Sequence, residues 1–289
     1  METVKSYFQM TKPAIALLVV TTTVPAVLLA AGSLPGLLWI LPAVLVGTYL
    51  ASCSAAMFNH LADADLDATM TRTSRRPVPA GRINRNVAFA LATILAALSF
   101  ALLYFLASPL AAWVALAGNF FYAVIYTLIL KRTTTQNIVI GGAAGAVGPL
   151  IGWAAVTGEL GWPAWALFLI IFLWTPPHFW ALAIKYKEDY ARAGIPMLPV
   201  VRGNEFTGRQ MLYYTLGLIP VVLVIYTGGE AGLVYLIPAV AMTGWFCWLA
   251  LRLVRSKNVI HAMPVFYFSL LYIFGIFGAL TLDRLITLL

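Results

Sequence analysis

The sequence predicts an all-α integral membrane protein whose nine transmembrane helices form one bundle. Of the 289 residues, 62% are hydrophobic and 10% are charged, whereas ordinary soluble domains have about half and about a quarter, respectively. The charge-free stretches are also far longer than the helices of a soluble core. We therefore expect residues 1–289 to form a single transmembrane domain.

Seven uncharged stretches define the spans, and they cover 13–62, 86–130, 133–158, 160–184, 210–229, 231–251 and 258–282. As single helices the first two would extend about 75 Å and about 68 Å, more than twice a hydrocarbon core of about 30 Å. Each must therefore fold back once. Glycine and proline supply the breaks at Gly32-Ser33-Leu34-Pro35-Gly36 and at Ser108-Pro109. The count is then nine helices.

The basic residues predict the orientation, because cytoplasmic loops carry an excess of Lys and Arg. When the helices are numbered in order, seventeen of the eighteen cations fall on one side of the bundle; only Arg284 falls on the other, with Glu159, Glu230 and Asp283. We therefore expect a cytoplasmic N-terminus. The two long loops, about 63–85 and 185–209, lie on this cytoplasmic side, and function concentrates on such loops.

Composition also bounds the partners. A net charge of +8 would indicate nucleic acid only on a water-facing fold, whereas here the cations lie between apolar spans. We expect no nucleic acid but anionic lipid or an anionic substrate. Cys53 and Cys247 lie inside apolar segments without disulfide or zinc spacing, and we expect buried thiols. The N-terminal segment shows no cleavage site or transit character, so we expect no removable leader.

The strongest local pattern is a row of oxygen-bearing side chains at the cytoplasmic end of helix 2. Asn59, Asp63 and Asp67 recur every four residues, which places neighbours on one helical face. Carboxylates held this close repel each other unless a cation lies between them, and oxygen ligands at an apolar boundary suit Mg²⁺ shared with phosphate. Asp65 points away from this face. The alternative is a solvated acidic loop.

Arginines follow the row. Arg72 and Arg76 are again four residues apart, and the guanidinium fork matches phosphate oxygens. Acids that hold a metal, followed by cations that hold an anion, indicate a diphosphate site. For Arg75 a binding role and a purely topological role are equally supported.

Further cations precede or begin other loops. Lys185 and Asp189, at the start of the second loop, share a helical face, so Lys185 is a candidate for phosphate binding and Asp189 for a second ion or for orienting the lysine. Lys131 and Arg132, which end helix 4, are candidates for the same diphosphate site. Their spacing is equally compatible with a positive-inside role alone.

Among the three histidines, His178 stands out. It lies late in helix 6, beside Pro176 and Pro177 and among aromatic residues. An ionisable group within a membrane span is a functional candidate, either as a ligand to haem iron or as a base. His60 and His261 are expected to be interfacial residues without a role.

Together these segments resemble the UbiA-type intramembrane prenyltransferases, most closely the protohaem IX farnesyltransferase branch, over nearly the whole chain. The general family feature is the row Asn59, Asp63 and Asp67. The features of the branch are Met70-Thr71-Arg72-Thr73-Ser74-Arg75-Arg76-Pro77, Thr175-Pro176-Pro177-His178-Phe179-Trp180, and the segment from Asp189 to Pro199 that ends in Gly194-Ile195-Pro196-Met197-Leu198-Pro199. The wider family has a second Asp-x-x-x-Asp, and Lys185 replaces its first acid here.

The resemblance implies a UbiA-type fold and transfer of a farnesyl group from farnesyl diphosphate to the 2-vinyl group of protohaem IX (haem b), with water addition, giving haem O. It implies Mg²⁺ at the row, diphosphate at Arg72, Arg76, Lys131, Arg132 and Lys185, and haem at His178. A haem A synthase is a possible partner and the bacterial plasma membrane the expected location. The alternatives are a quinone-precursor or chlorophyll-type acceptor and, from another class, a secondary transporter.

Overall fold

The structure, a computed structural model, describes residues 2–33 and 35–289. Within these ranges nine helices are long and apolar enough to cross a membrane, which confirms the predicted number. They are α1 (Pro13–Ala30), α2 (Leu37–Ala62), α3 (Arg85–Leu106), α4 (Pro109–Thr133), α5 (Asn137–Thr157), α6 (Trp162–Lys185), α7 (Leu198–Thr227), α8 (Leu233–Ser256) and α9 (Val259–Leu288).

Both predicted breaks are present. The chain turns between Ala30 and Leu37, although Leu34, in the middle of the predicted break, lies outside the described residues. The second break is capped by Ser108, whose Oγ accepts a hydrogen bond from the Ala111 amide at 3.1 Å and donates one to the Ala154 carbonyl at 2.6 Å. Pro109 then occupies the first helical turn, where its missing N–H costs nothing.

Three short helices lie outside the spans, at Glu2–Met10, Ala64–Thr69 and Lys187–Arg192. They lie at the end of the bundle that carries most of the cations, called here the charged end. The predicted loop 185–209 is shorter than expected, because α7 already begins at Leu198. Gly203, with φ of 79°, bends this first part of α7, a conformation that glycine adopts without strain. The polar residues of this part gave it the composition of a loop.

Some helices of the bundle pack closely together, whereas others surround an internal cavity. Gly152 of α5 faces the Thr23 carbonyl of α1, where an added Cβ would lie only 2.7 Å away, so these helices touch along their backbones. Two irregular elements lie beside the cavity. Residues Phe121–Leu130 of α4 form a π-helix, and α5 is interrupted between Gly145 and Gly148.

Candidate active site

The predicted row of oxygen-bearing side chains is buried at the charged end. α2 ends at Ala62 and a short helix follows from Ala64. The Asp63 amide still bonds to the Asn59 carbonyl at 2.9 Å and the Asp67 amide to the Asp63 carbonyl at 2.8 Å. The four-residue repeat therefore continues across the junction. The side chains of the row are buried, with exposed fractions of 3% for Asn59, 1% for Asp63 and 2% for Asp67. This burial argues against the alternative of a solvated acidic loop.

Three basic side chains contact this row. The Lys12 Nζ donates to Asn59 Oδ1 at 2.7 Å, the Lys131 Nζ donates to Asp63 Oδ2 at 2.6 Å, and the Arg76 guanidinium donates to both oxygens of Asp67 at 2.8 and 2.9 Å. The two carboxylates are thus outnumbered by three basic groups. Such an excess of N–H donors suits an anion with several oxygens.

Lys12 was not among the residues predicted for the site. It precedes α1 in a left-handed conformation with φ of 47°, uncommon for a residue other than glycine. Burial, together with the positive charge of Arg76, lowers the pKa of its ammonium to about 7. In the sequence it was one cation among many before an apolar span. Its contact with Asn59, 47 residues away, has no spacing pattern that could have revealed it.

Lys131 and Arg132, which were equivalent by spacing, are separated by the structure. Lys131 faces the buried row through Asp63, whereas Arg132 binds Asp65 at 2.8 and 2.9 Å on the outside of the short helix. The Asp65 side chain is 62% exposed. Hydrogen bonds from Arg132 hold the pKa of Asp65 below its usual range. Only Lys131 reaches the row.

The π-helix in α4 brings further polar groups to the row. Thr127 is fully buried, donates to the Tyr122 carbonyl at 2.7 Å and accepts from the Asn59 amide Nδ2 at 3.1 Å. The Asn59 Nδ2 also donates to Asp63 Oδ2 at 2.7 Å. The Asn59 amide is therefore held in one orientation, with its oxygen toward Lys12. π-helical turns are rare and recur at functional sites.

The second loop joins the first through Asp189. Its carboxylate accepts from the Thr71 hydroxyl at 3.0 Å and from the Arg72 backbone amide at 3.4 Å, and it pairs with Arg192. These contacts differ from the predicted pairing with Lys185, because α6 ends at Lys185 and the chain leaves the helix at Tyr186. Asp189 thus fixes the segment that carries Arg72.

Arg72 and Lys185 are exposed and lie against the same aromatic ring. The Arg72 guanidinium carbon and the Lys185 Nζ stand 5.7 Å and 5.5 Å from the centre of the Tyr186 ring, within the range of cation–π contacts. Arg75 is exposed, and its carbonyl accepts a hydrogen bond from Arg82. Arg72 and Lys185 therefore lie at the surface and, among the described residues, make no hydrogen bond to the row.

The donor set on the row is oxygen-only. Among the described residues, there is no cluster of three or more His, Cys, Asp or Glu side chains that could hold a metal ion. The row offers two carboxylates and one amide oxygen instead. Asp63 Oδ1 is buried and has no hydrogen-bond partner among the described residues. A hard divalent cation fits this set, with water or substrate completing its coordination.

An apolar cavity of about 470 Å³ extends from Lys12 into the bundle. Its lining includes Tyr122 and Tyr126 of the π-helix and Trp174 and His178 of α6. Three further lining residues are exposed hydrophobic side chains on α1, α6 and α9, namely Ile15, Phe179 and Phe274. The cavity therefore reaches the lipid-facing surface as well as the charged end. Its volume lies within the range of about 300–1,000 Å³ that is usual for ligand sites.

His178 borders this cavity and is 9% exposed. Its ring stacks between Trp174, with ring centres 4.4 Å apart, and Phe266, at 4.8 Å. His60 is also buried, and its Nδ1 has no partner among the described residues. His261 lies in the first turn of α9.

Known proteins resemble this chain along nearly its whole length. The chain is 51% identical to protoheme IX farnesyltransferase of Gloeobacter violaceus, over 96% of this chain and 92% of that protein. It is 46% identical to the protein of the same name from Alcanivorax borkumensis, over 97% and 93% of the two chains.

Solved structures share the fold at low sequence identity. A structure of digeranylgeranylglyceryl phosphate synthase superposes with a TM-score of 0.81 at 19% identity, covering 98% of this chain and 99% of that one. A UbiA homologue from Archaeoglobus fulgidus bound to DMAPP and Mg²⁺ gives a TM-score of 0.68 at 16% identity, covering 95% and 99%. The UbiA prenyltransferase family matches residues 18–278, and the chain is a multi-pass membrane protein that belongs to this family.

Proposed function

We propose that this protein transfers a farnesyl group from farnesyl diphosphate to the 2-vinyl group of protohaem IX, with addition of water, giving haem O and diphosphate. The observation that carries the proposal is an apolar cavity lined at one end by Lys12, whose ammonium also bonds to Asn59 of the buried cluster of acids and bases. A diphosphate with a long isoprenoid tail requires both environments. The relatives named protoheme IX farnesyltransferase supply the acceptor.

Asn59, Asp63 and Asp67 are proposed to hold Mg²⁺. The oxygen-only donor set and the unpartnered Asp63 Oδ1 support this assignment, as does the A. fulgidus homologue bound to DMAPP and Mg²⁺. A bound Mg²⁺ would neutralise the oxygens of the diphosphate and make it a better leaving group. When Mg²⁺ and the diphosphate bind, the basic side chains that now donate to the oxygens of the row would donate to the diphosphate instead.

Basic residues are proposed to bind the diphosphate itself. Arg76 and Lys131 reach the row directly, and Lys12 joins them from the start of α1. Arg72 and Lys185 are proposed to reach the diphosphate from the surface. Arg132 pairs with Asp65 and is proposed to support the charged end without touching the diphosphate. Their charges oppose the negative charge that develops on the leaving oxygen when the C1–O bond of the farnesyl group breaks.

The aromatic chamber is proposed to stabilise the allylic cation. Tyr122, Tyr126 and Trp174 line the cavity, and a well-placed ring contributes about 0.5–2 kcal/mol to holding a cation. The terminal carbon of the 2-vinyl group donates its π electrons to farnesyl C1. The positive charge then lies on the vinyl carbon next to the porphyrin, where water adds and releases a proton.

The setting follows from the substrates. Both the farnesyl tail and the porphyrin dissolve in lipid, and exposed lining residues on α1, α6 and α9 open the cavity to the bilayer. We propose that the charged end faces the cytoplasm of a bacterial plasma membrane, as the distribution of cations predicts. A haem A synthase that receives the product is the proposed downstream partner.

The test is a reaction with purified protein, protohaem, farnesyl diphosphate and Mg²⁺, followed by mass analysis of the porphyrin. We expect the mass of protohaem to increase by one farnesyl group and one hydroxyl group, and the reaction to stop when EDTA is added. Parallel reactions with a quinone precursor or a chlorophyll-type acceptor serve as the comparison. Prenylation of one of these, with protohaem left unchanged, would contradict the proposed acceptor.

A further inference from the structure

Ser269 of α9 links two residues of the cavity wall. Its side chain is fully buried. The Ser269 carbonyl accepts from the Trp174 indole Nε1 at 2.7 Å, and the Ser269 Oγ lies 2.6 Å from His178 Nδ1. The same Oγ donates to the Phe266 carbonyl at 2.6 Å. One serine therefore holds α6 to α9 at the level of His178.

These two short contacts determine where the proton of His178 lies. A hydroxyl has one hydrogen to donate, and a carbonyl oxygen can only accept. Without a hydrogen between them, the Ser269 Oγ and the Phe266 carbonyl could not approach to 2.6 Å. The serine proton is thus used on Phe266, so that Oγ must accept from Nδ1. His178 carries its proton on Nδ1 and has a lone pair on Nε2.

The free nitrogen opens to the cavity. Nε2 of His178 has no hydrogen-bond partner among the described residues. It is also not among the unpartnered polar atoms that protein encloses completely, so it keeps some accessible surface. The ring planes of Trp174 and Phe266 lie 18° and 24° from that of the imidazole. Phe179 stands perpendicular to the imidazole, with ring centres 5.1 Å apart, and both His178 and Phe179 line the 470 Å³ cavity. With both faces covered and Nδ1 occupied, the edge that carries Nε2 is the one left to border this cavity.

The surroundings favour a neutral ligand over a base. A catalytic histidine base is usually oriented by a carboxylate that stabilises the imidazolium, whereas the partner of His178 Nδ1 is a hydroxyl that has already donated its own proton. A metal-bound histidine typically donates its second N–H to an acceptor that fixes tautomer and ring orientation. Ser269 provides that acceptor.

We propose that Ser269 is a positioning residue that holds His178 in the Nδ1–H tautomer, so that Nε2 ligates the iron of the porphyrin acceptor. The inference rests on the proposed haem acceptor. Iron ligation through His178 would hold the porphyrin against the cavity wall. Ser269 would not touch the substrate but would act through the imidazole.

The test uses the full-length protein in lipid nanodiscs, titrated with ferrous protohaem and examined by resonance Raman spectroscopy. We expect an iron–histidine stretching band in the unmodified protein and none in His178→Ala. In Ser269→Ala the band should shift or weaken and the dissociation constant for protohaem rise about tenfold or more. Ser269→Thr, which keeps the hydroxyl, should restore both. Binding of farnesyl diphosphate should stay unchanged in every variant.

Thr243→Val is the matched control, because Thr243 is a buried hydroxyl that donates to a helix carbonyl, that of Ala239, at 2.7 Å. It should leave the Raman band and the haem affinity unchanged. The double variant His178→Ala/Ser269→Ala should bind protohaem no more weakly than His178→Ala. A further loss in the double variant, or a normal band in Ser269→Ala, would overturn the positioning role.

The same preparation separates this inference from the proposed function. If the unmodified protein converts protohaem to the farnesylated product but shows no iron–histidine band, iron ligation by His178 is wrong and the proposed function stands. If it forms no farnesylated porphyrin, the proposed function itself fails. Variants that lose binding of farnesyl diphosphate as well as haem would indicate a packing role for Ser269.

Discussion

Asp63 and Asp65 lie two residues apart but in opposite environments. Asp63 is buried against Lys131 and Asn59, whereas Asp65 pairs with Arg132 at the surface. We expect Asp63→Asn to lower kcat by about a hundredfold or more, the usual cost of removing one charge-stabilising group from an active site. Asp65→Asn should retain nearly full activity. Steady-state farnesyl transfer to protohaem measures both.

Equal losses in the two variants would contradict the placement of the metal on the buried face. A second outcome is expected for Asp63→Asn, on folding and on haem binding. Because Asp63→Asn changes a proposed metal ligand and keeps the shape of the side chain, the variant should insert in the membrane normally and bind protohaem with unchanged affinity.

Lys12 extends the cationic site beyond the two loops. Its ammonium bonds to Asn59 and lines the mouth of the cavity. Lys12→Met should raise the KM for farnesyl diphosphate roughly tenfold or more, since a hydrogen bond to a charged group contributes about 1.5–3 kcal/mol. Lys5→Met, which removes an exposed lysine from the preceding short helix, is the control. An unchanged KM in Lys12→Met would remove Lys12 from the diphosphate site.

At the scale of the helices, the π-helix of α4 determines the orientation of Asn59. Thr127→Val keeps the shape of the side chain but removes the hydroxyl that accepts from the Asn59 amide. With that restraint lost, we expect the Mg²⁺ concentration for half-maximal activity to rise about tenfold, the lower end of the effect of losing a residue that orients a metal ligand. Thr133→Val removes an exposed hydroxyl farther along α4 and should leave the Mg²⁺ requirement unchanged.

The end of the bundle opposite the row is held by two adjacent residues of α9. The buried Asp283 carboxylate accepts from the amides of Gly232 and Tyr235 at 2.8 and 3.0 Å and so caps the start of α8. Arg284 donates to the carbonyls of Leu28 and Ala31 at the end of α1, both at 3.2 Å. Acceptors at helix starts and donors at helix ends satisfy groups that the helix itself leaves unpaired.

Loss of this cap should destabilise the bundle without touching the site. Asp283→Ala is expected to cost about 0.5–2 kcal/mol, the usual effect of removing an N-cap, and to lower the Tm in detergent by a few degrees. The KM values should stay unchanged. Glu159→Gln, at an exposed position on the same side, should leave the Tm unaltered. An unchanged Tm in Asp283→Ala would show that water replaces the cap.

At the scale of the whole molecule, most of the fold could be predicted because charges separate most of the apolar spans, and glycine and proline divide the two stretches that are too long for one crossing. The row was also predictable, since its members are four residues apart and the helical repeat continues from α2 into the short helix that follows. The contacts of Lys12 with Asn59 and of Lys131 with Asp63 join distant segments. Which lysine reaches which side chain depends on the packing of α1, α2 and α4. It also depends on a π-helix that hydrophobic periodicity does not reveal. Similarly, no local pattern connects Ser269 with His178.

The charge asymmetry predicts the orientation of the whole bundle in the membrane. Seventeen of eighteen cations lie before or between spans on one side, and placing that side in the cytoplasm avoids carrying them across the membrane. Glu188 and Glu159 provide matched probes, since both are exposed glutamates and lie on opposite sides of the predicted bilayer. Changing either to cysteine removes one negative charge and leaves every cation in place.

In spheroplasts treated with a membrane-impermeant maleimide, Glu159→Cys should be labelled in intact cells and Glu188→Cys only after lysis. The unmodified chain measures background labelling of the native thiols, of which Cys53 is buried and Cys247 is partly buried. The opposite pattern would place the diphosphate site on the outer face. Because farnesyl diphosphate carries several negative charges and does not cross a bilayer unaided, a site on the outer face would also separate the enzyme from a cytoplasmic donor.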